Sequence, residues 1–246
     1  MLILALESSA KAAGVALIRD GAVLAESWLN SGQTHSRTLL LLAEQLLAAC
    51  GLTAEDVSAC AVAEGPGSFT GVRIGVAAAK GFAWGRQLPV YGVSTLEAMV
   101  RSAAFCDGVY CACMDARRQQ VYQALFCLEG GLLRRLSEDG ARPLSELEQV
   151  LNTLKGPVFL IGDGAKLVYD ALAPRVSADL RLPPEHLRLQ HGSGVGLIAW
   201  EHALAGEAGD AAALTPNYLR PSQAERTRAE NEEFYLKTKN KKENEV

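Results

Sequence analysis

The stretch that decides the fold is LILALESSAKAAGVALIRDG, residues 2–21. Its first half is an apolar run that ends on an acid, Glu7, and its second half is another apolar run that breaks at Asp20-Gly21. An Asp-Gly pair next to apolar runs is a strong hairpin signal, because both residues tolerate the left-handed backbone of a tight turn. The stretch therefore predicts a strand, an acid at its end, a short polar turn and a returning strand, with a third strand after Gly21.

The same unit occurs again near the middle of the chain. VYCACMDARRQQVYQALFCLEGG, residues 109–131, has an apolar run that ends on Asp115, a polar turn, a returning run and a break at Gly130-Gly131. One supersecondary unit repeated at similar spacing indicates an internal duplication. The alternative is that two unrelated hairpins share the pattern.

The duplication predicts how the chain is divided. We expect an α/β protein with two lobes, residues 1–104 and 105–224, each with a mixed β-sheet flanked by helices. Residues 225–246 carry many charges and few apolar side chains, which is typical of a solvated extension.

Composition limits the classes of function. Of the 246 residues, 49% are hydrophobic and the formal net charge is −4, so an independent role in nucleic-acid binding is disfavoured, because phosphate contacts need a concentrated basic surface. No apolar run reaches the ~18 residues that a membrane span needs, and no basic segment precedes the first one. The six cysteines form no CxxC pair, which indicates buried thiols in a reducing cytoplasm.

Two acid-ended hairpins followed by a glycine-rich turn are the plan of the actin-like ATPase fold, where the hairpins hold nucleotide phosphates and the acids hold a metal through water. The second turn, ARRQQ at residues 116–120, has no glycine with which to wrap a phosphate. The sequence therefore favours a vestigial nucleotide cleft without a cofactor. Its candidate residues are Glu7, Ser8, Ser9, Asp115, Gly162 and Gly164.

The sharpest local motif is GPGSFTGVRIG, residues 65–75, at a predicted strand-to-helix junction. It is not a P-loop, since no Gly-Lys-Ser/Thr follows, and its glycine spacing is not the dinucleotide fingerprint. The motif could bind an anion at the start of the helix, or it could be a tight turn that lets the helix pack closely. Small residues recur every four positions from the motif onward, which favours close packing. This small-residue strip consists of Gly71, Gly75, Ala79 and Ala83.

The helix predicted over residues 36–50 is apolar around most of its circumference. Leu40, Leu41 and Leu47 extend the apolar surface beyond one face, so this helix is either central in the chain or covered by another protein. We predict that it lies beside the helix of residues 72–84, and that these leucines and the small-residue strip form one partner interface.

Residues for catalysis or metal binding are not apparent. The histidines form no HxxxH or HExxH pair, no GxSxG elbow occurs, and Ser68 has no evident base. The sequence therefore predicts no catalytic residue and no metal site, against the alternative of an actin-fold enzyme, either a small-molecule kinase or a peptidase. The histidines are His35, His186, His191 and His202.

Seven stretches in order along residues 1–220 resemble the TsaB (YeaZ) family. The most specific is GPGSFTGVRIG, and the resemblance implies a duplicated actin-like (ASKHA) fold. One departure is Glu7, where the family commonly has Asp. The seven stretches are LALESSAKAAGVAL, HSRTLLLLAEQLL, GPGSFTGVRIGVAAAKGFA, PVYGVSTLEAM, MDARRQQVYQAL, IGDGA and PNYLR.

The resemblance also implies a function. TsaB is a non-catalytic paralogue of TsaD, the transferase that makes threonylcarbamoyladenosine in tRNA, and Thr95 and Met99 stand where TsaD has its metal-binding histidines. The implied partners are TsaD and, through the pair, the ATPase TsaE, with tRNA contacted only indirectly and a homodimer formed when TsaD is absent. The same helices could also serve a homodimer alone, without a transferase partner.

Overall fold

The first half of the chain folds into a five-stranded sheet. In the computed structural model, which describes residues 1–220, its strand order is β3-β2-β1-β4-β5. The strands are β1 (Leu2–Glu7), β2 (Ala13–Arg19), β3 (Ala22–Leu29), β4 (Ala59–Gly65) and β5 (Val90–Ser94). The helices of this half are α1 (His35–Ala49), α2 (Phe69–Trp84) and α3 (Thr95–Ala103), with a short 3₁₀ turn at Ala54–Asp56. The predicted charged tail, residues 225–246, lies outside the described residues.

A second sheet, with the order β11-β10-β6-β7-β8, is formed by the later strands, and β9 also pairs with β7. The strands are β6 (Gly108–Asp115), β7 (Gln120–Glu129), β8 (Leu132–Arg135), β9 (Gly140–Pro143), β10 (Pro157–Ile161) and β11 (Asp179–Arg181). The helices are α4 (Leu144–Leu151), α5 (Ala165–Leu172), α6 (Glu185–Arg188) and α7 (Gly192–Leu204).

The two sheets repeat one topology. β1 is antiparallel to β2 and parallel to β4, and β6 is antiparallel to β7 and parallel to β10. Glu7 pairs opposite Gly14, and Asp115 pairs opposite Val121, so each acid closes the same kind of hairpin. The predicted duplicated actin-like α/β fold is confirmed.

Helix α7 departs from the predicted division of the chain. It follows the second sheet in sequence, but Val195, Ile198 and Ala199 are buried against the first sheet in one apolar cluster. Contact is close because glycines face each other: a methyl group on Gly14 would lie 2.7 Å from the backbone nitrogen of Gly192. Residues 192–204 therefore pack with the first sheet, while the boundary between residues 104 and 105 stays a prediction.

Helix α3 lies between the two sheets and packs on both. Ala98 belongs to the apolar cluster of the first sheet. Met99 and Val100, on the next positions of the helix, belong to the cluster of β6 and β7 in the second sheet. One helix thus contributes to two cores and joins the halves of the molecule.

The small-residue strip of α2 faces the chain's own interior. Gly71, Gly75, Ala79 and Ala83 are buried in the core beneath the first sheet, and Leu47 of α1 is buried there too. A methyl group on Gly71 would collide with the backbone oxygen of Ser8. Close packing against the hairpin and the sheet therefore accounts for the strip within the chain itself. That these five residues form a partner interface stays a prediction.

Candidate functional site

A cleft of about 550 Å³ opens between the two halves of the molecule. Both acid-ended hairpins, the GPGSF turn and the last described residues contribute to its walls. The lining residues are Ser9 to Lys11, Gly67 to Phe69, Met114 to Arg117, Tyr122, Asp163 and Asn217 to Arg220. This is the place where the fold would hold a nucleotide between its hairpins.

The first hairpin turn bonds one carboxylate oxygen of its own acid. Glu7 is fully buried, and its Oε1 accepts hydrogen bonds from the backbone nitrogen and the hydroxyl of Ser9, both at 2.6 Å. Its Oε2 has no hydrogen-bond partner among the described residues. Burial raises the pKa of Glu7 to about 7, against the lowering effect of the Ser9 hydrogen bonds. The acid is therefore held inside the protein rather than presented to the cleft.

The GPGSF turn fixes that hairpin to α2. The backbone nitrogen of Ser68 donates to the oxygen of Ser9 at 2.6 Å, and the Ser8 hydroxyl donates to the oxygen of Gly71 at 2.9 Å. The Ser68 hydroxyl accepts from the Gly71 nitrogen at 3.3 Å and so caps the helix. Of the two readings of the motif, the structure favours the tight turn, with Ser68 in a capping role.

The second hairpin turn has a strained backbone. Arg117, Arg118 and Gln119 have φ angles of 65°, 54° and 57°, a left-handed conformation that costs about 1–2 kcal/mol per non-glycine residue. The carboxylate of Asp115 holds the turn, since its Oδ1 accepts from the Arg117 nitrogen at 2.7 Å. Without a glycine, the turn thus adopts the left-handed conformation that glycine would favour. The expectation that it cannot easily wrap a phosphate stays a prediction.

The glycine-rich turn after β10 packs against β6. Gly162 donates from its backbone nitrogen to the oxygen of Arg188 at 2.6 Å, and Gly164 donates to the oxygen of Cys113 at 3.1 Å. Gly162 has a φ of 110°, and a methyl group there would collide with Cys113. Only Asp163 of this turn lines the cleft; burial raises its pKa, and the side-chain nitrogen of Gln190 donates to it at 3.2 Å.

The cleft residues therefore do not fit the metal-bound nucleotide that the fold family implies. Glu7 and Ser9 are bonded to each other, Asp115 is tied to Arg117 by a backbone hydrogen bond and an ion pair of 3.3 Å, and residues 217–220 occupy one wall. Within residues 1–220, no three His, Cys, Asp or Glu side chains are grouped as metal ligands. The absence of a bound cofactor stays a prediction.

Thr95 and Met99, which stand at the paralogue's metal positions in the resemblance, are both buried on α3. The Thr95 hydroxyl has no hydrogen-bond partner in the described part of the chain. Met99 packs in the apolar cluster of the second sheet. Both positions are therefore occupied by residues buried within the fold.

Several apolar residues are exposed on α1 and α2. Leu40 and Leu41 are about half exposed, and Trp84 is 81% exposed. Ala48, Ala77 and Gly81 are also exposed, and Gly81 has nothing near the position of a side chain. The two helices contact each other, so these six residues are named the α1–α2 face. Leu40 and Leu41 were predicted to lie in an interface, whereas sequence reasoning missed Trp84, Ala77 and Gly81 because the strip on the opposite side of α2 has the more regular spacing.

No helix among the described residues combines the length and the apolar character that crossing a bilayer requires.

Comparisons with known proteins identify similar sequences and structures. The family model described as TsaD, tRNA N6-adenosine threonylcarbamoyltransferase, matches residues 24–160. The tRNA threonylcarbamoyladenosine biosynthesis protein TsaB of Bacillus subtilis (strain 168) is 32% identical over 225 residues, which cover 92% of this chain and 96% of that protein.

Among solved structures, YeaZ from Pseudomonas aeruginosa is 28% identical, with a TM-score of 0.73 over 89% of this chain and 99% of that chain. Component A of the (R)-2-hydroxyglutaryl-CoA dehydratase of Acidaminococcus fermentans is 13% identical, with a TM-score of 0.50 over 83% of this chain and 99% of that chain. The latter likeness concerns the fold alone.

Proposed function

Because the chain belongs to the TsaB (YeaZ) family of tRNA threonylcarbamoyladenosine biosynthesis proteins, we propose that it serves this modification as a non-catalytic scaffold subunit. It binds the transferase TsaD through the α1–α2 face, and the pair recruits the ATPase TsaE. The tRNA is contacted only indirectly by this subunit, and the complex works in the cytoplasm. In the absence of TsaD, two copies of the chain pair through the same face.

The exposed α1–α2 face carries the proposal. Trp84 is 81% exposed and Leu41 50% exposed on adjoining helices, although burial of one large apolar side chain is favourable by about 1.5–3 kcal/mol. Ala77 and Gly81 on the same side of α2 would let a partner helix approach closely. A patch of this kind is typical of a protein interface.

The internal bonding of the cleft supports a non-catalytic role. Ser68 caps α2, Ser9 is bonded to Glu7, and Asp115 holds its own turn. A nucleophile needs a base within hydrogen-bond reach, whereas the Ser68 hydroxyl accepts a hydrogen bond from the Gly71 nitrogen. The polar groups of the cleft therefore stabilise the fold.

The test places a charge in the α1–α2 face. We expect Leu41→Glu and Ala77→Arg to weaken TsaD binding by about a hundredfold or more, because an unpaired charge buried in an interface costs several kcal/mol. Both changes are at exposed positions, so the free chain should stay folded. Sedimentation with and without TsaD measures both the heterodimer and the homodimer.

Leu132→Glu is the matched control, since Leu132 is an exposed leucine of the second sheet, 65% accessible. It should leave TsaD binding unchanged. Folded Leu41→Glu and Ala77→Arg variants that bind TsaD as tightly as the parent would show that this face is not the interface. Kinase or peptidase turnover by the purified chain alone, lost in Ser68→Ala, would favour the enzyme alternative.

A further inference from the structure

The last described residues cross from the first sheet to the second hairpin turn. Leu214 is buried in the core beneath the first sheet. The backbone nitrogen of Asn217 then donates to the oxygen of Glu64, at the end of β4, at 2.6 Å. Gly65 permits this approach, since a methyl group there would collide with the oxygen of Asn217. Residues 214–220 are named the strap.

In its middle, the strap is attached to α2 by an aromatic cluster. The ring of Tyr218 stacks on that of Phe69, with centroids 4.5 Å apart. The guanidinium of Arg73 lies 3.9 Å from the centre of the Phe69 ring, and its Nε donates to the Tyr218 hydroxyl at 2.6 Å. Arg73 is exposed and lies one turn of α2 before Ala77 of the α1–α2 face.

At its end, the strap reaches the strained turn of the second hairpin. Arg220 donates from Nη1 to the backbone oxygen of Ala116 at 2.6 Å. Ala116 itself donates to the oxygen of Gln120 at 3.0 Å, and Leu144 donates to that of Gln119 at 3.2 Å, so these three bonds share one turn. The turn and Arg73 are therefore connected through Tyr218 and two further residues.

A network of ion pairs and a hydrogen bond joins the two halves of the molecule at a second place. Arg135 of β8 is paired with Glu97 of α3 at 2.5 Å and with Asp139 at 2.6 Å. The Ser94 hydroxyl, at the end of β5, donates to Asp139 at 2.6 Å. Because this network does not involve the strap, loosening the strap would free the cleft side while the halves stay joined.

From these contacts we propose that the strap couples the α1–α2 face to the second hairpin turn, so that a protein docked beside Arg73 changes how firmly the two walls of the cleft are held together. The coupling to a docked protein rests on the proposed function. The mechanical link between Arg73 and the turn does not, because it concerns the free chain.

The free chain is tested first, by hydrogen exchange of the full-length protein. Arg73→Ala removes a side chain that belongs to the first half of the molecule, yet it should speed exchange of the Ala116 and Leu144 amides about two- to fivefold, the size expected for losing an exposed cation–π contact. Tyr218→Ala should do the same. The exchange rates of the β1 and β4 amides should stay unchanged, and this measurement checks that the variants are folded.

Arg101→Ala is the matched control, since Arg101 is a partly exposed arginine whose ion pair with Glu201 joins α3 to α7 without the strap. It should leave the turn unchanged. If Tyr218→Ala does not fold, Tyr218→Phe takes its place, because it keeps the ring and loses the hydroxyl that accepts from Arg73. If the Ala116 and Leu144 amides exchange at the same rate in the Arg73→Ala variant and in the control, the link between Arg73 and the turn is refuted.

Docking is tested next, by adding TsaD to the parent chain. We expect the exchange of the strap and of residues 116–120 to change on binding. TsaD that binds without any change in these amides would overturn the coupling and leave the scaffold function intact. Failure of TsaD to bind at all would contradict the proposed function, whereas the free-chain result would still decide the link.

Discussion

The two acid-ended hairpins have the same place in the same topology, yet they are stabilised in different ways. The first turn is buried: Glu7, Ser8 and Ser9 are inaccessible and bonded to one another and to α2. The second turn is open to solvent, with Arg117 83% exposed, and it keeps three left-handed residues in place through backbone bonds and Arg220. The two turns therefore share a topology but differ in the interactions that stabilise them, because different residues pack on each turn.

The largest expected effect comes from breaking the packing of the first turn. Gly71→Ala should lower the free energy of unfolding by about 3 kcal/mol, because the new methyl group would collide with the Ser8 backbone. Urea denaturation measures it. Gly81→Ala in the same helix is the control: nothing lies near that position, so it should raise stability by about 0.5–1 kcal/mol through helix propensity. Equal effects of the two substitutions would refute the difference in packing.

The acid of the first turn should give the protein a pH dependence. The pKa of Glu7 is about 7 when folded and 4.5 in its ordinary state, so the native state holds this proton over a range where the unfolded state has lost it. The contribution of Glu7 to the free energy of unfolding is fully present below pH 4.5. It falls by about 3 kcal/mol as the pH rises through 7.

Glu7→Gln should flatten that fall in stability, as measured by urea denaturation at several pH values. Gln keeps the shape and an oxygen for Ser9 but carries no charge at any of these pH values. Glu129→Gln, at an exposed position, is the control. If the parent gained stability relative to the Glu7→Gln variant between pH 5 and 7, Glu7 would not be a buried acid that is protonated in the native state.

The smallest expected effect comes from relieving strain in the second turn. Gln119→Gly should raise the free energy of unfolding by about 1 kcal/mol, because glycine adopts the φ of 57° without the cost of a β-carbon. Gln120→Gly, at the first residue of β7, should instead lower stability, since glycine weakens a strand. If both variants lose stability, the left-handed turn is not strained in solution.

Much of the fold could be predicted because its signals are local. Alternating apolar runs, an acid at the end of a strand and a glycine at a turn act within a few residues, so both hairpins and the helices α1 and α2 were placed close to their true bounds. The vestigial character of the cleft was also predicted from local chemistry, because the second turn has no glycine, and it stays a prediction. The structure adds that Glu7 and Ser9 bond to each other.

The rest could not be predicted because it depends on contacts between distant residues. α7 is apolar around most of its circumference, and its sequence gives no sign of which sheet it covers. Arg220 and Ala116 are far apart in the chain, and no pattern in the sequence joins them. The strap could not be predicted from the sequence for that reason.

By itself, then, the sequence determined the repeated hairpins, the mixed sheets and the family resemblance, all of which are carried by short-range patterns. Tertiary structure alone decided which side of α2 is exposed. The row of Gly71, Gly75 and Ala79 indicates close packing on this side of α2. The same row is compatible with a sheet of this chain or with a helix of another protein. The hairpin of Ser8 fills the space, because its backbone can approach only where side chains are small, and the opposite side with Trp84 is left exposed.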